Sequence, residues 1–418
     1  MRKFIVIVVA ALVVLCGVGF YVYKTNDVNE TYENNEIKND SNMLSMMLET
    51  SAGSGEYQES TASSWPTKGY IFNENISKCE RGSKLTWDDS KKTVIMSGNE
   101  GDKCYVYFDK KEKIVYLADY VKSQYTTQGA NNLYLHDIYL SNGAKDNSYR
   151  YAGSSDTTNN FVCFGYDSQD GSCPNDNLYR IIGAFDGEVK LIKYDYAKST
   201  LLGTDGDYNG SYSSGGTNKG QNSKTEIGGY YWNYSNGSSS TNDWTLSRLN
   251  TINLNKNYIN NIGTKWSEKI SDHTWKVGGN TWMNIGSQSA PTAYQNEINS
   301  PATNKMVNAK VGLMYVSDYG YAASFSSWST NLSSYQNVTA NNWMYMGLYE
   351  WTLAPRTGAS STVFGVRYDG YVGDKGNGTY SSFDVYDAPY GVRPVFYLKS
   401  TIGYGGGSGT AAKPILLS

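Results

Sequence analysis

A loop rich in aspartate and asparagine is the first candidate for metal chemistry in this chain of 418 residues. Asp205, Asp207 and Asn209 stand at alternate positions and are followed by Gly210, which is the opening pattern of a calcium-binding loop. An EF-hand needs a bidentate glutamate at its twelfth position, and here that position is Gly216. Asp, Asn and Gly are also ordinary turn residues. The pattern therefore fits either an incomplete calcium site or a plain surface loop.

Groups that could transfer protons or attack a substrate are scarce. His136 and His273 are the only two histidines available for acid–base work near neutral pH. Neither a Gly-x-Ser-x-Gly elbow nor a phosphate-binding Gly-x-x-x-x-Gly-Lys loop occurs in the sequence. We therefore expect no enzymatic activity.

Carboxylates keep one catalytic alternative open. Glycoside hydrolysis needs two carboxyl groups on either side of the scissile bond. Asp318, Glu350, Asp369 and Asp384 would have to converge in space to supply such a pair. On that condition, the chain would be an extracellular glycan hydrolase.

The composition favours binding surfaces over nucleic-acid contacts. A net charge of −3 gives no basic field for a nucleic-acid partner. The chain contains 38 Tyr and 10 Trp among many Asn, Ser and Gly residues. Tyr, Ser, Gly and Asn are enriched in binding surfaces, although Tyr is also a common strand residue.

The N-terminal segment predicts a membrane anchor. Arg2 and Lys3 precede an apolar run from Phe4 to Tyr23, and its 20 residues would span roughly 30 Å of hydrocarbon as a helix. A cleaved signal peptide usually has a shorter apolar region and small residues at its cleavage site. We therefore expect residues 1–24 to be an uncleaved signal anchor, with the rest of the chain outside the cell membrane.

The cysteines predict two local disulfides. Cys79 pairs most simply with Cys104 and Cys163 with Cys173 outside the cell, where thiols are oxidised, while Cys16 lies within the apolar segment. Closing the first loop would contribute about 3 kcal/mol to the stability of a small module.

The region after the anchor predicts a stalk and then a small β module. Residues 25–68 are polar and predict a flexible stalk, within which residues 43–48 could form two turns of helix. Residues 69–125 predict a β module with a connecting helix, because short runs with β propensity alternate with turns such as the one at residues 88–91.

Residues 126–400 predict one large domain. Asp186-Gly187 lies between two strand-like runs and indicates a hairpin. Leu254, Tyr258 and Ile262 begin a series of apolar residues spaced by four, which predicts a helix face packed in the core. Residues 401–418 are rich in glycine and predict a mobile tail.

The order of motifs in residues 178–398 adds a resemblance. In this part of the chain a hairpin is followed by the segment that begins at Trp244, then by Glu350-Trp351-Thr352 and last by a strand that begins with Gly391-Val392-Arg393-Pro394. This order resembles the C-type-lectin-like fold in the formylglycine-generating-enzyme (sulfatase-modifying factor) branch. It is still more similar to an uncharacterised bacterial surface-protein domain that ends in Gly-Val-Arg-Pro.

The resemblance implies a fold and a binding region. The fold class would be α+β, with a C-type-lectin-like domain and irregular loops. The cysteine pair used by formylglycine-generating enzymes is missing, because no cysteine follows Cys173. The calcium tripeptides of sugar-binding lectins are missing too. Ligands of this fold generally meet the loops before the last strand. The residues expected to bind a ligand here are Tyr368, Tyr371, Tyr380, Phe383 and Tyr386.

Together these patterns predict a membrane-anchored extracellular binding or adhesion protein. Its ligand would be a glycan or a protein surface, and calcium would be the one cofactor to test. A structural cell-envelope protein is the first alternative, and the glycan hydrolase is the second.

Overall fold

The computed structural model describes most of the chain in two compact units, one formed by described residues up to Ile114 and the other by described residues from Val115 onward. The predicted anchor, residues 1–24, lies outside the described residues, and none of the helices that are described has both the length and the apolar character to cross a membrane. The described residues are 30–34, 44–99, 101–112, 114–168, 170–280, 285–373, 383–386 and 388–418.

The first unit is built from two small sheets. One sheet has the strand order β1-β7-β6, and the other has the order β3-β2-β8-β4 with β5 also paired to β8. The predicted turn between β6 and β7 is confirmed, since Asp88 Oδ1 accepts the backbone N–H groups of Ser90 and Lys91. The strands are β1 (Glu30–Asn34), β2 (Leu44–Glu49), β3 (Tyr57–Glu59), β4 (Tyr70–Phe72), β5 (Lys78–Cys79), β6 (Lys84–Asp88), β7 (Thr93–Gly98) and β8 (Cys104–Lys110).

The helix predicted at residues 43–48 is wrong. This segment forms β2, which pairs in parallel with β8, and Met46 lies opposite Val106 in the core. Leu44, Met46 and Leu48 all contact this core, which is the period of two expected for a strand. The distant partner β8 supplies the backbone hydrogen bonds, so tertiary pairing overrides the local helical tendency. Residues 44–59 of the predicted stalk are therefore folded.

The second unit is organised around a sheet of seven strands. Its order is β16-β21-β13-β12-β10-β9, and β11 also pairs with β12. The hairpin between β12 and β13 is confirmed, and both Asp186 and Gly187 in its turn have positive φ. A sheet of four strands has the order β17-β18-β19, with β20 also paired to β18, while β14 pairs with β15. The strands are β9 (Leu133–Leu135), β10 (Tyr149–Tyr151), β11 (Phe161–Cys163), β12 (Leu178–Phe185), β13 (Glu188–Lys193), β14 (His273–Lys276), β15 (Met306–Ala309), β16 (Val311–Gly312), β17 (Glu350–Pro355), β18 (Thr362–Val366), β19 (Val372–Gly373), β20 (Phe383–Asp384) and β21 (Val395–Leu398).

Short helices surround these sheets. The helix predicted to connect the small module belongs to the second unit instead, because Leu117, Ala118 and Val121 are buried in that unit's core. The α-helices are α1 (Leu117–Ser123), α2 (Ser199–Leu202), α3 (Lys224–Ile227), α4 (Ile259–Asn261), α5 (Thr264–Ser267), α6 (Ala290–Tyr294) and α7 (Val316–Ala322), and π-helical segments span Leu249–Tyr258 and Gln295–Asn299.

The apolar stripe that begins at Leu254 is core packing, as predicted. Leu254, Tyr258 and Ile270 are fully buried, and Trp266 is nearly so. The stripe does not lie on one helix, however. Gly263 has a φ of +80° and separates α4 from α5, so the chain turns within the stripe.

Both predicted disulfides are confirmed, and the predicted tail is corrected. Cys79 is bonded to Cys104 and Cys163 to Cys173. Residues 401–418 are packed, not mobile. Ile415 is buried, and its backbone exchanges hydrogen bonds with Phe161 and Cys163 of β11. The tail therefore covers the edge of β11.

Candidate functional site

Four tyrosines next to β17, β18 and β19 form the candidate site, which we call the tyrosine surface: Tyr345, Tyr349, Tyr368 and Tyr371. Tyr345 and Tyr349 precede β17, whereas Tyr368 and Tyr371 lie between β18 and β19. The Tyr345 hydroxyl donates to the Tyr368 carbonyl at 2.6 Å, and the rings of Tyr349 and Tyr368 meet edge to face at 5.4 Å. Tyr368 is 39 % exposed and the other three are half-buried.

Buried aromatic rings hold Tyr349 in place. Tyr349 stacks on Tyr390 with their centroids 5.0 Å apart, and Tyr390 in turn packs on Trp351 of β17 at 4.6 Å. Tyr390 and Trp351 are buried. The Tyr349 backbone N–H also donates to the Tyr212 hydroxyl at 2.8 Å. Tyr349 therefore has a fixed support, and Tyr368 packs on Tyr349 in turn, which lowers the entropy cost of binding.

Two cations flank the tyrosine surface. Lys219 Nζ lies 4.3 Å from the ring centroid of Tyr345, and the guanidinium of Arg367 lies 5.0 Å from that of Tyr371. Arg367 also donates to both carboxylate oxygens of Asp369, and this hydrogen bonding raises the pKa of Arg367. The surface thus combines aromatic faces with fixed charge.

Gly216 allows its own loop to approach the tyrosine surface closely. Gly216 has a φ of +94°, and a Cβ at this position would lie 2.4 Å from Cβ of Tyr368. No side chain fits that space. The twelfth position of the calcium-loop pattern is therefore a glycine because a larger residue would collide with Tyr368.

The structure includes part of the predicted ligand-binding set in this surface. Tyr368 and Tyr371 are members, while Tyr386 is half-buried and packs against the core. Phe383 is described only as a strand residue of β20, and Tyr380 lies outside the described residues. Sequence reasoning missed Tyr345, Tyr349 and Lys219. The tyrosines could have been found by their spacing around Gly347, but no local signal predicts the backbone bond from Lys219 to Met346 that places the lysine there.

In the calcium-loop pattern, Asp207 binds backbone N–H groups of neighbouring segments. Asp207 is 1 % exposed, and its two carboxylate oxygens accept the N–H groups of Tyr234 at 3.2 Å and Leu249 at 3.0 Å. Burial raises the pKa of Asp207. Asp205 is exposed and accepts from Asn257 at 2.6 Å. Asn209 is exposed as well. Calcium binding here stays a prediction, and it would compete with these hydrogen bonds.

We expect Asp207→Ala to lower the free energy of unfolding by about 1–3 kcal/mol, because the buried N–H of Leu249 and the partly buried N–H of Tyr234 would lose their acceptor. The exposed Asp205→Ala is the matched control and should cost less than about 1 kcal/mol. Thermal melting with and without calcium measures both effects. Equal losses in the two variants would contradict the anchoring role of Asp207, and a calcium-induced rise in Tm that both variants abolish would support a metal site.

Each of the four candidate catalytic carboxylates has its own partner. Glu350 is paired with Arg393, Asp318 with Lys190 and Asp369 with Arg367. Asp384 accepts from the Ser361 hydroxyl at 3.1 Å. These contacts are structural ion pairs and a side-chain hydrogen bond, and catalysis by these carboxylates stays untested.

The histidines are held in their neutral form. Burial lowers the pKa of His136 well below its usual value, and its Nδ1 accepts the Ala144 N–H at 3.0 Å. Burial, and then the nearby Lys190, lower the pKa of His273 to about 4. His273 stacks on Tyr397 at 3.8 Å. Both rings therefore act as packing groups.

A cluster of Cys79, Asp102 and Cys104 lies in the first unit. The two sulfur atoms are joined in a disulfide, which leaves no thiolate for a metal. Asp102 accepts the N–H groups of Arg81 at 2.7 Å and Ser83 at 2.9 Å. The cluster therefore fixes a turn beside the disulfide.

Comparisons of this chain with known protein families, with curated proteins and with solved structures found no match. What the structure establishes is a mixed α+β protein, mostly sheet, with two disulfides.

Proposed function

We propose that this chain is an extracellular binding protein that its N-terminal segment holds at the cell membrane, and that its tyrosine surface recognises a glycan. The observation that carries the proposal is the set of four neighbouring tyrosines, one of them stacked on a buried ring, with a lysine and an arginine beside them. The C-type-lectin-like fold is part of the proposal, because such a fold would present these loops for binding.

The chemistry of the tyrosine surface suits a sugar. A tyrosine face offers apolar area to the C–H groups of a sugar ring, while its hydroxyl stays available for polar contacts at the edge of the site. Lys219 and Arg367 add donors for hydroxyl or carboxylate groups of a glycan. A rigid aromatic surface of this kind binds with little loss of side-chain entropy.

An extracellular location fits the covalent structure. Disulfides persist in oxidising compartments and are rare in the cytosol. The chain has two of them, one in each unit. The apolar run of residues 4–23 supplies the proposed anchor, with its basic end in the cytoplasm.

We expect Tyr368→Ala to weaken glycan binding by about tenfold, which corresponds to about 1.4 kcal/mol for one lost aromatic contact. The full chain, purified in detergent, would be tested on an array of glycans and cell-wall fragments. Tyr139→Ala is the matched control, because Tyr139 is 86 % exposed and lies outside the tyrosine surface.

Two outcomes would overturn the proposal. A blank array would move the assignment to a protein partner or to a structural role in the cell envelope. Equal losses in the Tyr368→Ala and Tyr139→Ala variants would show that binding does not occur at the tyrosine surface.

A further inference from the structure

A second site in this molecule is a cavity of about 340 Å³ beside the end of β13. All of its lining residues belong to the second unit, and none belongs to the tyrosine surface. The volume lies in the range of small-molecule sites. Its walls are part apolar and part charged, with Phe164, Leu201 and Ile262 on one hand and Lys193 and Lys198 on the other.

Lys193 is the feature that points to a ligand. Its side chain is 1 % exposed and lies in the wall of the cavity. Among the described residues, the one hydrogen-bond acceptor of its ammonium is the backbone carbonyl of Asp176, at 2.6 Å. An ammonium has three N–H donors, and a buried charge needs a partner to offset its loss of hydration. Two donors of Lys193 therefore remain for a further acceptor.

Two other buried cations of the same sheet have better partners than Lys193. Lys190, on the same strand, has the carboxylate of Asp318 at 2.6 Å. No carboxylate in the described part of the chain pairs with Arg180, but its guanidinium donates to Asn160, Ser155 and Thr158. The fold thus supplies Lys190 with a counter-charge and Arg180 with three acceptors, whereas it supplies Lys193 with one carbonyl.

The nearby carboxylates are committed to other partners. Asp176 Oδ2 lies 2.8 Å from Nζ of Lys198, which also contacts Glu226 at 3.3 Å. Asp195, the next acidic residue along the chain from Lys193, accepts the N–H groups of Gln221 and Asn222. Lys198 thus has the carboxylates of both Asp176 and Glu226 within 3.3 Å, whereas no carboxylate of the described residues is hydrogen-bonded to Lys193 Nζ. A negatively charged ligand would supply the acceptor that Lys193 lacks.

We propose that this cavity binds a small organic carboxylate, whose oxygens accept from Lys193 Nζ and whose apolar part packs against Phe164, Leu201 and Ile262. The ring centroid of Tyr179 lies 5.4 Å from Lys193 Nζ, which adds a cation–π contact to the ammonium. One buried ammonium and three apolar side chains in the same wall favour a carboxylate with an apolar portion, about the size of an amino acid or a monosaccharide acid.

Binding should weaken at alkaline pH. Burial lowers the pKa of Lys193 to about 8, against the raising effect of Asp176 and Asp195, and Lys198 lowers it further. The protonated form is the one that binds a carboxylate. Affinity should therefore be full below pH 8 and fall by about tenfold for each pH unit above it, whereas an exposed lysine would keep its charge to a pH of about 10.

The test uses the full chain and benzoate as the probe, with benzyl alcohol as its uncharged analogue, in isothermal titration at pH 7 and pH 9.5. Two variants change the cavity in different ways. Lys193→Met removes the charge, and Thr200→Trp fills the mouth of the cavity from an exposed position while it leaves Lys193 intact. Lys256→Met, at an exposed lysine away from the cavity, is the matched control.

We expect benzoate to bind at least tenfold more tightly than benzyl alcohol at pH 7, and each cavity variant to lose at least tenfold. Affinity should fall at pH 9.5 in the unmodified chain, and Lys256→Met should behave like that chain. Equal binding of benzoate and benzyl alcohol would overturn the proposal, and so would benzoate binding that survives both cavity variants. No detectable binding of either probe, or of glucuronate in the same titration, would overturn it as well.

Discussion

Arg393→Met is expected to lower the free energy of unfolding of the second unit by about 3–5 kcal/mol. Arg393 and Glu350 are both buried, and the guanidinium donates to the two carboxylate oxygens at 2.7 and 2.8 Å. It also donates to the Met344 carbonyl at 2.7 Å. The variant would leave a buried carboxylate without its counter-charge, which is the costly way to break a buried ion pair.

The penalty should depend on pH. Burial already raises the pKa of Glu350, and Arg393 opposes this shift. Without the arginine the folded-state pKa would rise further above the unfolded value. The variant should therefore keep most of its stability below a pH of about 4.5 and lose it as the pH rises through the folded-state pKa. Urea unfolding followed by tryptophan fluorescence at pH 4.5 and pH 7.5 measures this difference.

An exposed ion pair supplies the control. Lys265 and Asp167 are 62 % and 52 % exposed, and their atoms lie 2.6 Å apart. Lys265→Met should cost less than about 1 kcal/mol at either pH, because water screens this pair. A cost for Arg393→Met as small as that of Lys265→Met would contradict the assigned role of the buried pair.

The second large effect concerns the disulfide of the first unit. Replacing Cys79 and Cys104 by serine should cost about 3 kcal/mol in loop entropy alone, since the bond joins residues 25 positions apart. The core of this unit is small and includes Cys104 itself, together with Met46, Val106 and Phe108. A small core leaves little stability in reserve. We expect the first unit to unfold at 37 °C in this variant.

The matched comparison is the pair Cys163→Ser and Cys173→Ser. Their bond closes a shorter loop of 10 residues and lies in the unit with the much larger core. The second unit should therefore stay folded with a lower Tm. Amide hydrogen exchange, read by mass spectrometry, separates the two units. Retained protection of β2 and β8 in the Cys79→Ser and Cys104→Ser variant would contradict the prediction.

Local signals in the sequence predicted local structure well. Asp186-Gly187 predicted its hairpin because two residues with positive φ are what such a turn needs. The paired cysteines predicted their disulfides because they are close in the sequence and lie in strand-rich segments. The apolar spacing from Leu254 predicted burial, but the break at Gly263 was missed.

The failures have one physical cause, which is long-range pairing. The apolar residues 43–48 fit both a helix and a strand, and only the pairing with β8, about 60 residues later, decides between them. The glycine-rich tail lacks any local structural signal, yet backbone bonds to β11 hold it. In the candidate site, too, some residues could be predicted from the sequence and others depend on long-range contacts. Tyr368 and Tyr371 lie in the loop that the resemblance indicated, whereas Lys219 reaches the surface through a contact with a segment more than 120 residues later.

The position of β21 has a consequence for how the chain matures. This strand, Val395–Leu398, lies between β13 and β16 in the large sheet, although most of the second unit separates it from β13 in the sequence. Until it arrives, β13 has an unpaired edge and the surrounding apolar side chains lack a cover. The large sheet is therefore complete only after synthesis has passed Leu398, and until then the open edge of β13 can pair with other chains.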